Sequence, residues 1–370
     1  MKILMVCPDW FPNSAGLAQS CYDLCKQFET HGHSVKIIVA KDKRVDKKGM
    51  DIKEVPFISR LGGRNPLPWR LWKNIKDDVE SCDVVCLFSY MYIMNSFIAS
   101  YRGKGLIKKP VIHFYRGSLE SEFLNHVSFF TKISKQMYDL LLAKPLFRDV
   151  DMVISNSGPT LKIMEEKFGA DSNKLNYIKN ALNVKEYPKW KREHKRVIFI
   201  GRLVDNKGVC FFERILQSIP KKWKFTVVGD GPLRDEIIKL KKKYFNLDFV
   251  GKVNHRECLN LLSRSDINVL PTFAEGSPRS VMEASACGVP SISFAVGDVV
   301  NTIPKNCGFA IKPYDIEEFC KSLELLISDS VFRQEMGRNS LKFAEENLEW
   351  SIVYPKIEKL VQGLISNFKK

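Results

Sequence analysis

The 370-residue chain has no apolar run near the roughly 18 residues that a membrane-spanning helix needs. Its first residues pass straight into Lys2-Ile3-Leu4-Met5-Val6, without the organisation of a signal peptide. From these two absences we expect a cytoplasmic protein. Zinc-site spacing is missing as well. Ten cysteines are scattered along the chain, and Cys21/Cys25 and Cys82/Cys86 have no His or second Cys pair at a suitable distance. Reduced, mostly buried thiols are the expectation. Acidic residues are in short supply, with 42 Asp and Glu against 58 Lys and Arg for a net charge of +16. The excess runs through both halves rather than along one helix, so it argues for no nucleic acid as partner. It suits polyanionic small ligands and an anionic membrane surface, with plain solubility charge as the ordinary alternative. An apolar content of 45% excludes disorder, and the length suits two domains.

What is present is a repeated alternation of strand and helix patterns. Lys2 to Cys7 reads as a strand, Asp9 to Gly16 as a turn, Leu17 to Thr30 as a helix and Val35 to Ala40 as the returning strand. Further strands are expected at Val84 to Phe88, Pro110 to Tyr115 and Met152 to Ser155. A second series has strands at Arg196 to Ile200, Lys224 to Val228, Leu247 to Val250, Ile267 to Leu270 and Ser291 to Phe294. Helices are expected at Val209 to Ser218, Leu233 to Lys243 and His255 to Ser263. The charged, Pro-containing segment Lys185 to Lys195 divides the two series. The reading is α/β: two doubly wound, Rossmann-like domains at 1–185 and 186–349, facing across a cleft that holds the ligand, with a last helix at 350–370 packing back on the first.

The most informative stretch is Ala274 to Pro290, A-E-G-S-P-R-S-V-M-E-A-S-A-C-G-V-P. Pro278 suits a first helical position and Gly288 a helix end, which puts Glu283 on a helix and Glu275 in the loop before it. Free N–H groups around Arg279 and Ser280 would form an anion site. Carboxylates beside such a site suit a ligand bearing both hydroxyls and phosphate, as a nucleotide sugar does. The ordinary alternative is a solvated loop and an amphipathic helix. After the first strand of the second series, Arg202 and Lys207 bracket a short loop where two cations can meet a diphosphate. Gly229-Asp230-Gly231-Pro232 is a strand-to-helix turn that lacks the third glycine of a dinucleotide fingerprint.

In order and spacing, Gly201-Arg202 with Lys207-Gly208, Gly229 to Pro232, Phe249-Val250-Gly251 and Glu275 to Glu283 resemble the retaining GT-B glycosyltransferases called group one or family four. The likeness covers nearly the whole chain and is strongest in the second half. It implies a hexosyltransferase with a nucleotide-sugar donor held by the second domain, no cofactor and no essential metal. By that likeness Glu275 meets the donor sugar's hydroxyls, Glu283 the ribose, and Arg202 with Lys207 the diphosphate. Backbone near Ser280 and Val281 meets phosphate, and Gly251 to Asn254, with Val253, lies against the base. Gly16, Gly201, Gly229, Gly276 and Ser277 complete the donor side. A glycan or lipid-linked acceptor, as in polysaccharide or glycolipid assembly, falls to the first domain.

Departures from the family's pattern fall in that first domain. Ala15-Gly16 stands where two glycines are usual, Asn180-Ala181 where Asn-Gly is, and Arg116-Gly117 where His-Gly is. Arg is no neutral proton shuttle, but it suits a phosphate or an acidic acceptor, so Arg116 and Gly117 are placed on the acceptor side. Two segments mix basic residues with large apolar ones. Phe57 to Lys76 carries Arg60, Arg64, Arg70, Lys73 and Lys76 among Leu61, Leu67, Trp69, Leu71 and Trp72, and Phe129 to Arg148 carries Lys132, Lys135, Lys144 and Arg148. Each reads equally as a face for an anionic membrane at its inner side or as core packing with a solvated basic side. A nucleotide-sugar epimerase and a non-catalytic partner subunit stay open as alternative readings.

Overall fold

The computed structural model describes residues 1–12, 15–42, 44–61, 65–117, 129–190 and 195–368. It divides into two compact units: one holds the described residues up to Ile178 and again from Tyr354, the other those from Lys179 to Val353.

The first unit runs through Lys2–Val6 (β1), Ala15–Thr30 (α1), Ser34–Ala40 (β2), Asp51–Val55 (β3), Phe57–Leu61 (β4), Asn65–Pro68 (β5) and Leu71–Ser81 (α2). Val84–Phe88 (β6), Ile93–Gly103 (α3), Val111–Tyr115 (β7), Phe129–Leu141 (α4), Pro145–Arg148 (α5), Met152–Ser155 (β8), Gly158–Phe168 (α6) and Leu175–Tyr177 (β9) follow. Seven strands form one parallel sheet in the order β3-β2-β1-β6-β7-β8-β9, and β4 and β5 form a separate antiparallel ribbon. Val-Val-Cys-Leu-Phe in β6 and Val-Ile-His-Phe-Tyr in β7 are buried at every position, as strands covered on both faces must be. Connections leave β1 in one direction and β6 in the other, so the reversal at β1/β6 opens a crevice at the carboxyl edge.

The second unit contains Arg196–Ile200 (β10), Phe212–Ser218 (α7), Lys224–Val228 (β11), Arg234–Lys243 (α8), Leu247–Gly251 (β12), His255–Ser263 (α9) and Ile267–Leu270 (β13). It continues through Arg279–Cys287 (α10), Ser291–Phe294 (β14), Val299–Thr302 (α11), Gly308–Ile311 (β15), Ile316–Ser328 (α12) and Ser330–Asn347 (α13). Its parallel sheet has the order β12-β11-β10-β13-β14-β15, with the reversal at β10/β13. The helix expected from Val209 begins as a 3-10 turn over Val209–Phe211. Of the charged dividing segment, 191–194 lie outside the described residues, while Trp190 is tied to the second unit: its N–H donates to Cys287 O at 2.8 Å and its indole to Asp266 at 3.2 Å.

The last helix, Trp350–Phe368 (α14), buries Tyr354, Ile357, Val361 and Ile365 at helical spacing. Tyr354 meets Phe28 of α1 edge-on at 5.7 Å and stacks on His31 at 4.0 Å, and Glu358 accepts from His33 at 2.7 Å.

The two basic, apolar segments differ from one another. In Phe57 to Lys76, Leu71 and Ile75 are buried and Phe57, Leu67 and Trp72 pack partly against the core, while Trp69 is half-exposed and Arg64 lies outside the described residues. In α4 the usual arrangement is inverted. Ile133, Met137, Leu140 and Leu141 are 41%, 49%, 66% and 63% exposed, and the buried side carries Lys135 paired with Asp139 at 2.8 Å. Asp139 also accepts from the hydroxyl of buried Tyr90, so the polar pair is satisfied inside and the aliphatic stripe is left outside.

Candidate active site

The carboxyl edge of the second sheet is built by backbone lying against backbone. Gly201 N–H donates to Val228 O at 3.0 Å, Gly229 N–H to Gly251 O at 2.9 Å, and Leu203 N–H to Asp230 O at 3.0 Å. Gly229 has φ +141°, and a Cβ there would lie 1.8 Å from Gly201 O, so no side chain fits. The three glycines therefore hold the loops in register, and what a ligand meets is their backbone.

Lys207 closes a 3-10 turn over Asp205–Lys207, and Glu275 lies in the loop after β13. Asn206 O accepts from Phe273 N–H and from the Thr272 hydroxyl, each at 2.9 Å, which stitches the two loops together. Lys207 and Glu275 form a short, largely buried ion pair. The sequence assigns them different parts of a ligand; in the free protein each neutralises the other. Gly276 O accepts from Asp298 N–H at 2.8 Å, and Gly297, at φ +55°, leaves no room for a Cβ, which would sit 1.6 Å from Glu275 O. Arg202 is exposed on the same loop as Lys207.

The helix after this loop starts one residue later than its sequence suggests. Pro278 is the cap, with ψ 111°, and α10 begins at Arg279. The Pro278 carbonyl accepts from Val281 N–H at 3.1 Å and Met282 N–H at 3.2 Å. Val281 N–H thus makes a bond within the first turn, and Ser280 lies just before it. Gly288 ends the helix at φ 77°, as expected. Ser277 touches Met282 Sδ at 3.5 Å.

Glu283 is buried, not solvated, and its Oε1 accepts from Arg279 Nε at 2.8 Å and His255 Nε2 at 2.9 Å. Burial alone would raise its pKa, but the His255 hydrogen bond and the Arg279 charge outweigh it and hold the carboxyl below its ordinary value. Sequence reasoning missed both partners. Arg279 was open to inference from its i, i+4 spacing, whereas His255 comes from α9 with no local signal. Asn254 caps α9 by accepting from Glu257 N–H at 2.9 Å, and Val253 packs partly into the apolar cluster beneath.

In the first unit, Gly16 lies in the first turn of α1 rather than in a preceding turn. It is exposed, and a Cβ there would meet nothing within 4 Å, so the protein's own atoms do not demand glycine. Asn13 and Ser14 of the expected turn lie outside the described residues. Arg116 and Gly117 follow β7 directly, with Gly117 at φ +148°. His113, three residues before Arg116, is a core residue between Ser89 O at 3.0 Å and Leu146 O at 3.2 Å, and burial pushes its pKa down to about 4. Among the described residues no group of three His, Cys, Asp or Glu is placed to hold a metal ion, and no helix is long and apolar enough to cross a membrane.

Family models match both halves: glycosyltransferase family 4 over residues 14–186 and glycosyl transferases group 1 over 183–343. A human subunit of phosphatidylinositol N-acetylglucosaminyltransferase is 22% identical over 339 residues, 88% of this chain and 68% of that one. Other curated relatives are matched over only 53% and 59% of their length. Among solved structures, sucrose-phosphate synthase from Thermosynechococcus elongatus superposes with a TM-score of 0.79 at 17% identity, covering 99% of both chains. The Anabaena protein HepE in complex with UDP gives 0.80 at 17% identity, covering 98% of this chain and 100% of that one. With two doubly wound units, a glycine-knit second sheet edge and family matches from residue 14 to 343, this chain belongs to the group 1, family 4 glycosyltransferases of the GT-B fold.

Proposed function

We propose that the protein is a retaining glycosyltransferase that moves a hexose from a nucleotide-sugar donor to a glycan or lipid-linked acceptor. The observation that carries this reading is the Lys207–Glu275 pair, held by stitched loops at the sheet edge beside the start of α10. A diphosphate competes with Glu275 for Lys207 and frees the carboxylate to accept sugar hydroxyls, so donor binding separates the two charges. Arg202, Lys207 and Ser280 N–H stabilise the departing diphosphate, and Glu283 accepts from the ribose hydroxyls. The acceptor hydroxyl attacks C1 from the face the diphosphate leaves, the C1–O bond to phosphate breaks, and the acceptor's proton passes to the departing phosphate oxygen. This needs neither a metal ion nor a protein nucleophile.

A lipid-borne acceptor is supported by the name of the human relative and by the exposed aliphatic stripe of α4, which suits the surface of a bilayer. The test of the enzyme reading is Glu275→Ala, measured for transfer and for unfolding. Turnover should fall by at least ~100-fold, the scale of losing one preorganised polar contact, while the variant, which leaves the largely buried Lys207 unpaired, melts lower but still unfolds cooperatively. Near-normal transfer by the folded variant would refute the assignment.

A further inference from the structure

Arg116 occupies an unusual place for a cation. It follows β7 at the carboxyl edge of the first sheet, one strand from the β1/β6 reversal, and is half-buried. Its guanidinium carbon lies 5.7 Å from the centre of the Phe88 ring and 5.9 Å from that of Phe114. Those rings come from partnered positions of β6 and β7 and stack with centroids 6.4 Å apart, so they form one platform. Nη1 donates to the neighbouring Tyr115 O at 3.1 Å. Among the described residues no carboxylate pairs with the group, although a guanidinium has five N–H donors to place. The main chain around it is pinned, because Ser89 N–H donates to Phe114 O at 2.8 Å and the Ser89 hydroxyl to Arg116 O at 3.4 Å.

A half-buried cation with no acid beside it among the described residues disfavours folding. Burial pushes its pKa down to about 10, so it stays charged at neutral pH and carries that penalty in the unliganded protein. A structural role would be served better by an apolar side chain filling the same space. An oxyanion removes the penalty: a planar fork takes two oxygens of phosphate or carboxylate at once, and the rings below it and the Nη1 bond to Tyr115 O already hold the group in place.

We propose that Arg116 is a specificity-determining residue that receives an oxyanion carried by the acceptor. The acceptor is therefore an acidic molecule, bearing a phosphate or a carboxylate close to the hydroxyl that takes the sugar. Its identification with the acceptor rests on the transferase reading above; the anion site itself does not.

Thermal unfolding of the full chain tests the site in wild type, Arg116→Met and Lys207→Ala. The probes are glycerol 3-phosphate and glucuronate, with glycerol and glucose as uncharged counterparts, and UDP separately. We expect Arg116→Met to melt at or above the wild-type temperature. At least one of the two anions should raise the melting temperature of wild type and of Lys207→Ala beyond its uncharged counterpart, and should lose that effect in Arg116→Met. The anion that does so separates a phosphate-bearing acceptor from an acidic sugar. UDP should stabilise Arg116→Met as much as wild type, and its failure on every protein would sink the donor reading while leaving the anion result standing. The proposal is overturned if Arg116→Met melts well below wild type, if neither anion outperforms its uncharged counterpart, or if the anion's effect survives in Arg116→Met.

Discussion

Glu283 keeps its charge inside the second unit because Arg279 and His255 both donate to one of its oxygens. Removing Arg279 leaves a buried carboxylate with one donor fewer, and Arg279→Ala should cost ~3 kcal/mol at pH 7, read by urea unfolding. The pH dependence has a definite sign. The folded pKa of Glu283 is depressed, so the stability it contributes is present above its ordinary value near 4.5 and is lost as pH falls through the lower folded value. Arg279→Ala weakens the depression and should flatten that acid limb. At Gly297 the demand is steric. Gly297→Ala would press a Cβ into Glu275 O and must displace the loop bearing the carboxylate, so turnover should fall ~10-fold or more along with some stability. A variant as active as wild type would show that the Glu275 loop does not need this buttress. Residue identities were legible in the sequence here, and their partners were not, because Lys207 meets Glu275 and His255 meets Glu283 through loops brought together only by the sheet.

At the scale of elements, α4 shows where periodicity misleads. Its apolar residues recur at helical spacing, which ordinarily marks the core face, yet Lys135 and Asp139 take the inside because Tyr90 satisfies the pair there. The hydropathy pattern says that the helix has two faces; only the buried partners say which one is inside. If the outer stripe meets a bilayer, wild type should float with phosphatidylglycerol-containing vesicles and a Leu140→Ser/Leu141→Ser double variant should not, both proteins melting alike. Flotation of both, or of neither, would remove the membrane role from α4. The sheet strands that sequence reading passed over share a position. Asp51–Val55, Leu175–Tyr177 and Gly308–Ile311 each lie at an edge of a sheet, with one neighbour, where short and partly polar sequences suffice. Central strands were legible because burial on both faces forces continuous apolar runs.

At the scale of the whole molecule, two sheets of the same plan carry different chemistry at their carboxyl edges. The second is lined by paired charges, and the first presents a guanidinium over aromatic rings. If no step calls on a divalent ion, transfer should persist in excess chelator with at most a small loss. A return of lost activity on adding Mg²⁺ or Mn²⁺ would contradict that. The repetition of the α/β plan was legible throughout, and the family likeness with it, because motif glycines mark strand ends in both sequence and space. At Gly229, and at Gly297, which lies outside those motifs, a glycine touches another loop directly, so the carboxyl edge of the second sheet behaves as one casting rather than as separable loops. Variation among descendants of this chain, natural or selected in the laboratory, should then leave Gly201, Gly229 and Gly297 unchanged. Changes should instead accumulate at side chains such as Ser277, which can vary without recasting the edge.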